Sequence, residues 1–417
     1  MYPRVLVISN NPFSKVSNNG KTYYSFFQGW PKEKLAQLYF SNEKPVYDIC
    51  DKYFTFNSVE NMDSDTLEKN TLPKKSRNKL VDKLKKSQLI NYLYNLVWES
   101  KINSNKERIN KFIREFNPEV IFFVGGRSNY TYKLLNYIHQ KYDVPYCIYY
   151  TDDYFVPENN KLFTKLNYNK FKNEAQLSVE QSKKLFVISQ KMEHEYEALF
   201  SKQCIPIMNS IDLTNFGNIK PRSITDDMKI AYFGGLHLKR FETIIKIARQ
   251  LENYNDKYKQ SNKILIYTMN PPDDNQDKLI KSMNCIEYKG SVNSEDIIRE
   301  MEKQDVLLFV ESFNRDMINR TRLSLSTKIP EYLAMGKPIF AIGPNESGSI
   351  EYLKSLGFVN IVTKQDDSSI NKAIKDLKNS NFSEKEIFDK SRKFVEDNHS
   401  YEKTHETLRR ELSLCLK

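Results

Sequence analysis

Short apolar runs separated by helical patterns recur along nearly the whole chain, and this alternation limits the fold more than any other feature. The runs are "VLVIS" (Val5–Ser9), "EVIFFVGG" (119–126), "YCIYYTDD" (146–153), "KLFVIS" (184–189), "KIAYFGG" (229–235), "KILIYT" (263–268), "CIEYKG" (285–290), "DVLLFVES" (305–312) and "KPIFAIG" (337–343). Strands that are apolar at successive positions are covered on both faces, and helices between them imply parallel sheets. The runs fall into two series, parted by the polar stretch "NSIDLTNFGNIKPRSITDDM" (209–228), which reads as a hinge. Two doubly wound α/β domains facing a cleft are therefore expected, over residues 1–208 and 209–385. A chain of 417 residues has the length for two cores. From about residue 382 the pattern is helical only, with apolar residues at helical spacing across 387–412.

One segment, about 74–116, interrupts the alternation. It contains "PKKSRNKLVDKLKKSQLINYLYNLVWESK", with leucines near a helical period and lysines between them. Two readings stand: a helical insertion docked on the first domain with a solvated basic face, or a helix lying on an anionic membrane surface.

The net charge of +11 favours an anionic partner. Nucleic acid is not the expected one, because the aromatic residues lie mostly inside predicted strands and are not interleaved with basic residues on one surface. The five cysteines form no CxxC pair and the five histidines no HxH or HxxxH, so neither a metal site nor a disulfide framework is expected. No leader-like start and no stretch of roughly 18 to 20 apolar residues is present, which points to the cytoplasm.

In doubly wound folds ligands bind beyond the carboxyl ends of the strands, so the loops there carry the functional signal. "NNPFSKVSNNGKTYY" (10–24) follows the first strand, and Gly20 removes a side chain where a ligand would approach a helix start; an ordinary tight turn is the alternative. In "YFGGLHLKRFETIIKIA" (232–248), Gly234 and Gly235 end a strand while Lys239 and Arg240 lie at a helix start, where the dipole disfavours cations unless an anion joins them; two solvated basic residues in a loop are the alternative. The segment "STKIPEYLAMGKP" (326–338) repeats this conflict. Pro330 fits only a first helical turn, so Ser326 and Thr327 are natural caps and Lys328 opposes the dipole. Lys328 ahead of Glu331 is the less favourable order for a helical ion pair. A diphosphate would suit Ser326, Thr327 and Lys328, and Glu331 could accept hydrogen bonds from two vicinal ribose hydroxyls; a capped surface helix is the alternative. "YYTDDYF" (149–155) places Asp152 and Asp153 after a strand of the first domain, to orient an acceptor hydroxyl, cap the next segment, or hold a divalent metal.

The "GGL…KR" loop, the "STKIPEYLAMGKPI" helix and "GPNESGS" (343–349) resemble the nucleotide-sugar half of GT-B glycosyltransferases, specifically the retaining family four. "IMNSIDLTNF" (207–216) resembles the family's interdomain segment, and the terminal helices, 386–417, resemble those that cross back to the first domain. The resemblance implies that Glu331 binds the donor ribose, that Ser326 and Thr327 occupy the phosphate-binding turn, and that Gly20 lies in the loop near the donor phosphate and sugar. Lys328 matches a lysine of the "K-x-x-E-Y" subset, while Lys239 and Arg240 match the family's more widely spaced basic pair imperfectly. Eight residues before Glu331, where the family's first glutamate would contact the transferred sugar, stands Leu323; Glu311 is a candidate replacement.

The implied activity is retaining transfer of a hexosyl group from a nucleoside diphosphate sugar, UDP-sugar above others, to a hydroxyl of a glycan, glycolipid or other cell-surface polymer precursor. It needs no cofactor, and GT-B enzymes generally do without a catalytic metal, the leaving phosphate itself accepting the proton. Peripheral association with the cytoplasmic face of a membrane is a further expectation. The alternative is a non-catalytic protein that binds a nucleotide sugar or polyanion.

Overall fold

The computed structural model describes residues 2–15, 18–56, 88–156, 162–293 and 295–416. Two all-parallel sheets organise it. The first runs in the order β3-β2-β1-β4-β5-β6-β7, with β1 Val5–Ser9, β2 Leu35–Tyr39, β3 Lys52–Thr55, β4 Val120–Val124, β5 Tyr146–Tyr150, β6 Lys184–Val187 and β7 Cys204–Pro206. The second runs β10-β9-β8-β11-β12-β13, with β8 Lys229–Phe233, β9 Lys263–Tyr267, β10 Ile286–Gly290, β11 Val306–Val310, β12 Ile339–Ile342 and β13 Asn360–Val362. Every residue of β1, β4, β5 and β11 is buried, as their uninterrupted apolar sequences require.

All nine apolar runs of the sequence are strands, and four further strands escaped them. Three of these, β3, β7 and β13, are edge strands of three or four residues with little apolar sequence. The fourth, β2, is internal but broken by Gln37. That glutamine is buried and fully used: its Oε1 accepts from Phe13 N at 2.9 Å, and its Nε2 donates to Ser9 Oγ at 2.9 Å and Asn11 O at 3.2 Å. A polar residue inside the sheet thus fixes the backbone of the loop after β1.

Each sheet reverses its order once, between β1 and β4 and between β8 and β11. In the second sheet only Ile230–Ala231 pair with Val306–Leu307. Beyond them the strands diverge, and the buried Tyr332 hydroxyl takes their place, accepting from Phe233 N at 3.2 Å and donating to Leu308 O at 3.4 Å. Tyr332 belongs to α11 (Lys328–Met335), which this contact seats at the reversal point, where ligands of such sheets bind.

Of the basic segment at 74–116, residues 74–87 lie outside the described residues. The remainder forms α2 (Gln88–Ser104) and α3 (Lys106–Phe116), docked on the first sheet unit through buried Trp98, Ile102, Ile109 and Ile113. Leu93, Tyr94, Leu96 and Val97 remain 40–62% exposed on α2. Among the described residues no helix is long and apolar enough to cross a membrane.

The chain crosses between the sheet units twice. At the first crossing Ile211 forms an isolated parallel bridge with Ser400, which belongs to the second. There α14 (Glu384–His399), packed on α11, hands over to α15 (Tyr401–Leu414), packed on α1 (Asn18–Phe27). Buried His399 joins the parts: Tyr352 OH donates to its Nε2 at 2.7 Å, and its Nδ1 meets Asn209 O at 3.1 Å. A carbonyl only accepts, so Nδ1 carries the proton, and in the neutral ring Nε2 is the acceptor. Burial pushes the His399 pKa down to about 4. The unfolded chain therefore takes up this proton at higher pH than the folded one, and stability falls as pH drops from the ordinary histidine value of about 6.5 toward 4. The loss from this ring should approach about 3 kcal/mol, and His399→Gln should shrink the fall in unfolding midpoint between pH 7 and pH 5. An equal fall in the variant would show that the acid sensitivity lies elsewhere.

Candidate functional site

Five ionised side chains meet where α11 starts beside the end of β8. Arg240 opens α7 (Arg240–Tyr258) and forms a forked pair with Glu311, its Nη2 at 3.1 and 3.0 Å from the two carboxylate oxygens and its Nε at 3.3 Å from Oε2. Both side chains are largely buried, at 17% and 7% exposure. Glu331, in the first turn of α11, receives Lys21 Nζ from α1 of the opposite sheet unit at 2.7 Å. Lys328 is the fifth. Its half-buried ammonium has no hydrogen bond or ion pair among the described residues, and burial together with nearby Arg240 pushes its pKa down to about 8. His237, close to the same two cations, is likewise held below the ordinary histidine range, mainly by burial.

The local backbone explains this placement. Leu238 and Lys239 are consecutive residues at φ 57° and 61°, a left-handed conformation that is costly for side chains of this size. The resulting turn sends Arg240 inward. Lys239, expected beside it, is corrected by the structure: its ammonium stands 57% exposed and pairs with Glu242 at 3.1 Å on the outer face of α7.

The start of α11 offers fewer donors than its sequence promised. Pro330 has no N–H, the Ile329 amide donates to Ser326 O at 3.1 Å, and the Lys328 amide leans on Ser326 Oγ at 3.4 Å. Thr327 is the cap residue but makes no side-chain cap bond and is exposed. Ser326 is held in turn by Ser349 Oγ, which accepts its amide at 3.0 Å. Positive charge, more than free amides, therefore makes this end attractive to an anion.

Across the cleft, the Asp152–Asp153 pair has partners that sequence reasoning did not foresee. Asp153 Oδ2 binds Arg322 Nη2 at 2.6 Å, and Arg322 Nη1 binds Glu195 at 2.5 Å. Asp152 accepts from Ser324 Oγ at 2.7 Å, from Thr151 Oγ1 at 3.1 Å and from Tyr154 OH at 3.2 Å. Ser189 Oγ donates to Leu323 O at 2.7 Å. The segment Arg322-Leu323-Ser324 is thus gripped by the first sheet unit, and the two carboxylates are tied into a bridge between the halves. Among the described residues no group of three or more His, Cys, Asp or Glu has the arrangement to hold a metal ion. Beside the bridge opens a cleft of about 860 Å³, lined by Arg127, Asp152, Asp153, Leu238, Asn319 and Arg320 among others.

No protein-family model matches the sequence, and no curated protein is similar to it in sequence. Solved structures are similar in fold. A glycosyltransferase from Rickettsia africae ESF-5 superposes with a TM-score of 0.66 at 13% identity, covering 100% of both chains. Sucrose-phosphate synthase from Thermosynechococcus elongatus gives 0.64 at 13% identity over 99% of each chain, and Anabaena HepE in complex with UDP and glucose gives 0.60 at 10% identity over 98% and 99%. The chain has the GT-B fold.

Within the GT-B frame, the glycines serve the chain's own packing. A Cβ at Gly20 would lie 2.3 Å from Pro12 O, so its bareness accommodates the loop after β1. Cβ atoms at Gly234 and Gly235 would meet the Tyr232 hydroxyl and the His237 ring. Leu323 is fully buried in the apolar cluster that runs between the halves, and Glu311 is occupied by Arg240. Lys21 is the cluster residue that the sequence reading missed; it lies next to Gly20, but nothing in the sequence pairs it with Glu331. A lysine with its pKa near 8 binds an anion best while protonated. A nucleoside diphosphate should therefore bind less tightly above pH 8, and Lys328→Met should weaken binding about 10- to 100-fold at pH 7 while flattening this dependence. Calorimetric titration at pH 7 and 9 checks it; equal affinities at both values would remove Lys328 from the anion site.

Proposed function

We propose that the chain is a glycosyltransferase that moves a hexosyl group from a nucleoside diphosphate sugar, a UDP-sugar, to a hydroxyl of a glycan or lipid-linked acceptor, with retention. The observation that carries the reading is Lys328: a half-buried ammonium with no ion pair among the described residues, beside Arg240, at the order reversal of the second sheet. A diphosphate supplies the missing charge. Glu331, one turn deeper, takes the ribose hydroxyls, for which it must exchange Lys21. The freed Lys21 then faces the same anion from the other side of the cleft.

Breaking the sugar–phosphate bond gathers negative charge on the leaving diphosphate, so Lys328 and Arg240 stabilise the transition state more than the ground state. Arg240 is held for this task by Glu311, which fixes its guanidinium before substrate arrives. The carboxylates nearest these cations are both engaged, Glu311 by Arg240 and Glu331 by Lys21. This favours the leaving phosphate as the group that accepts the acceptor's proton. The acceptor enters the cleft lined by Arg127, Leu238 and Arg320. Exposed Leu93, Tyr94, Leu96 and Val97 on α2 favour contact with a membrane that carries a lipid-linked acceptor.

A second reading, binding of a nucleotide sugar without transfer, is favoured by the burial of Leu323 at the position where a sugar contact is expected. Two measurements separate them. Glu331→Ala should weaken nucleoside diphosphate binding by about 1.5–3 kcal/mol in calorimetry, and unchanged affinity would refute the ribose role. Release or transfer of radiolabelled sugar from a UDP-sugar supports catalysis; binding with neither supports the second reading.

A further inference from the structure

Two of the five cysteines meet. Cys147 lies on the buried central strand β5 and Cys415 caps the C-terminal end of α15; their Sγ atoms are 3.0 Å apart across 268 positions of sequence. This is shorter than the roughly 3.5–4.0 Å of an ordinary non-bonded contact between carbon atoms and about 1 Å longer than a disulfide bond. The other three, Cys50, Cys204 and Cys285, are buried singly against backbone carbonyl oxygens, and burial pushes each thiol up to about 12.

The pairing is prepared by the elements that carry it. Cys147 and Lys184 are register partners on neighbouring strands β5 and β6. Glu411 and Cys415, four residues apart, share one face of α15. The Lys184 ammonium binds the Glu411 carboxylate, and this largely buried ion pair sets the last turn of α15 so that the two sulfurs coincide. The Cys147 contact and the Lys184 charge hold the Cys415 thiol below the usual range, whereas burial pushes Cys147 up. Such an asymmetry gives one attacking and one resolving sulfur.

We propose that Cys147 and Cys415 form a reversible disulfide that fastens the terminal crossover helix to the first sheet, formed by exchange with a low-molecular-weight disulfide such as oxidised glutathione. Cys415 lies one residue from the end of α15, between Leu414 and Leu416, each over 40% exposed, so opening of the last turn admits the oxidant. The Cys415 thiolate attacks one sulfur of the small disulfide, whose S–S bond breaks to release one thiol. Cys147 then gives up its proton and attacks Cys415 Sγ in the mixed disulfide, expelling the second thiol. Two protein thiols are oxidised by two electrons, and one small disulfide is reduced to two thiols. Because α15 packs on α1 and follows the second of the two crossings, the bond fixes one end of the link between the halves. This inference is independent of the proposed transferase activity.

The test uses the full chain, reduced and then equilibrated in mixtures of oxidised and reduced glutathione. The expected results are a fall from five to three titratable thiols in denaturant, a peptide linking Cys147 to Cys415 in non-reducing maps, and a higher unfolding midpoint that reverses with dithiothreitol. Cys415→Ser and Cys147→Ser should each abolish the linked peptide and the midpoint shift, while Cys204→Ser should keep both. Five thiols at every ratio, recovery of Cys415 only as its glutathione adduct, or an unchanged or lowered midpoint in the linked form would overturn the proposal.

Discussion

Burying the Lys328 ammonium at the start of α11 is unfavourable on three counts: it leaves water, it lies near the Arg240 guanidinium, and it opposes the helix dipole. Much around it compensates only partly. Arg240 is neutralised by Glu311, and Glu331 by Lys21, which leaves one positive charge over. Tyr332 then fixes α11 between the splayed ends of β8 and β11, which holds the backbone of Lys328 at the sheet reversal. The same helix carries the contact with α14, which leads to the second crossing at His399. A cation held at a sheet reversal thus links the local chemistry of the cleft to the packing of the whole chain.

The two halves grip each other through a second, separate set of charges. Arg322 lies between Asp153 and Glu195, and Ser324 on Asp152, so the loop before α11 is clamped from the opposite side. Asp153 is only 3% exposed, and removing its cation would leave a buried carboxylate unpaired, a change worth about 3–5 kcal/mol. Lys191 adds a more exposed pair with Glu351 at 2.8 Å. These contacts orient the lysine cluster relative to the first sheet unit and bring Lys21 to Glu331.

The fold was legible because its strands are buried on both faces and therefore continuous in sequence; β2 was lost where Gln37 breaks the run to hold the loop after β1. Lys328 and Glu331 stand out in the sequence because Pro330 fixes the helix start there, and Arg240 because two glycines end the strand before its helix; in both places the misplaced charges become visible. Lys239 was misread because direction at a helix start depends on two left-handed residues that no local rule assigns to Leu238 and Lys239. The partners of Asp153 and Asp152, Arg322 and Ser324, stand 169 and 172 positions away, so the bridge they make between the halves is not visible in the local sequence. Lys21 with Glu331 and Cys147 with Cys415 are also pairs made only by topology, which a single sequence does not reveal.

The most direct test is a crystal structure of the chain grown with UDP. The account predicts the diphosphate within hydrogen-bonding distance of Lys328 Nζ, the ribose hydroxyls on the Glu331 carboxylate, and Lys21 displaced from that carboxylate. A nucleotide bound elsewhere, or one at this place with the Lys21–Glu331 pair intact and no phosphate near Lys328, would contradict it.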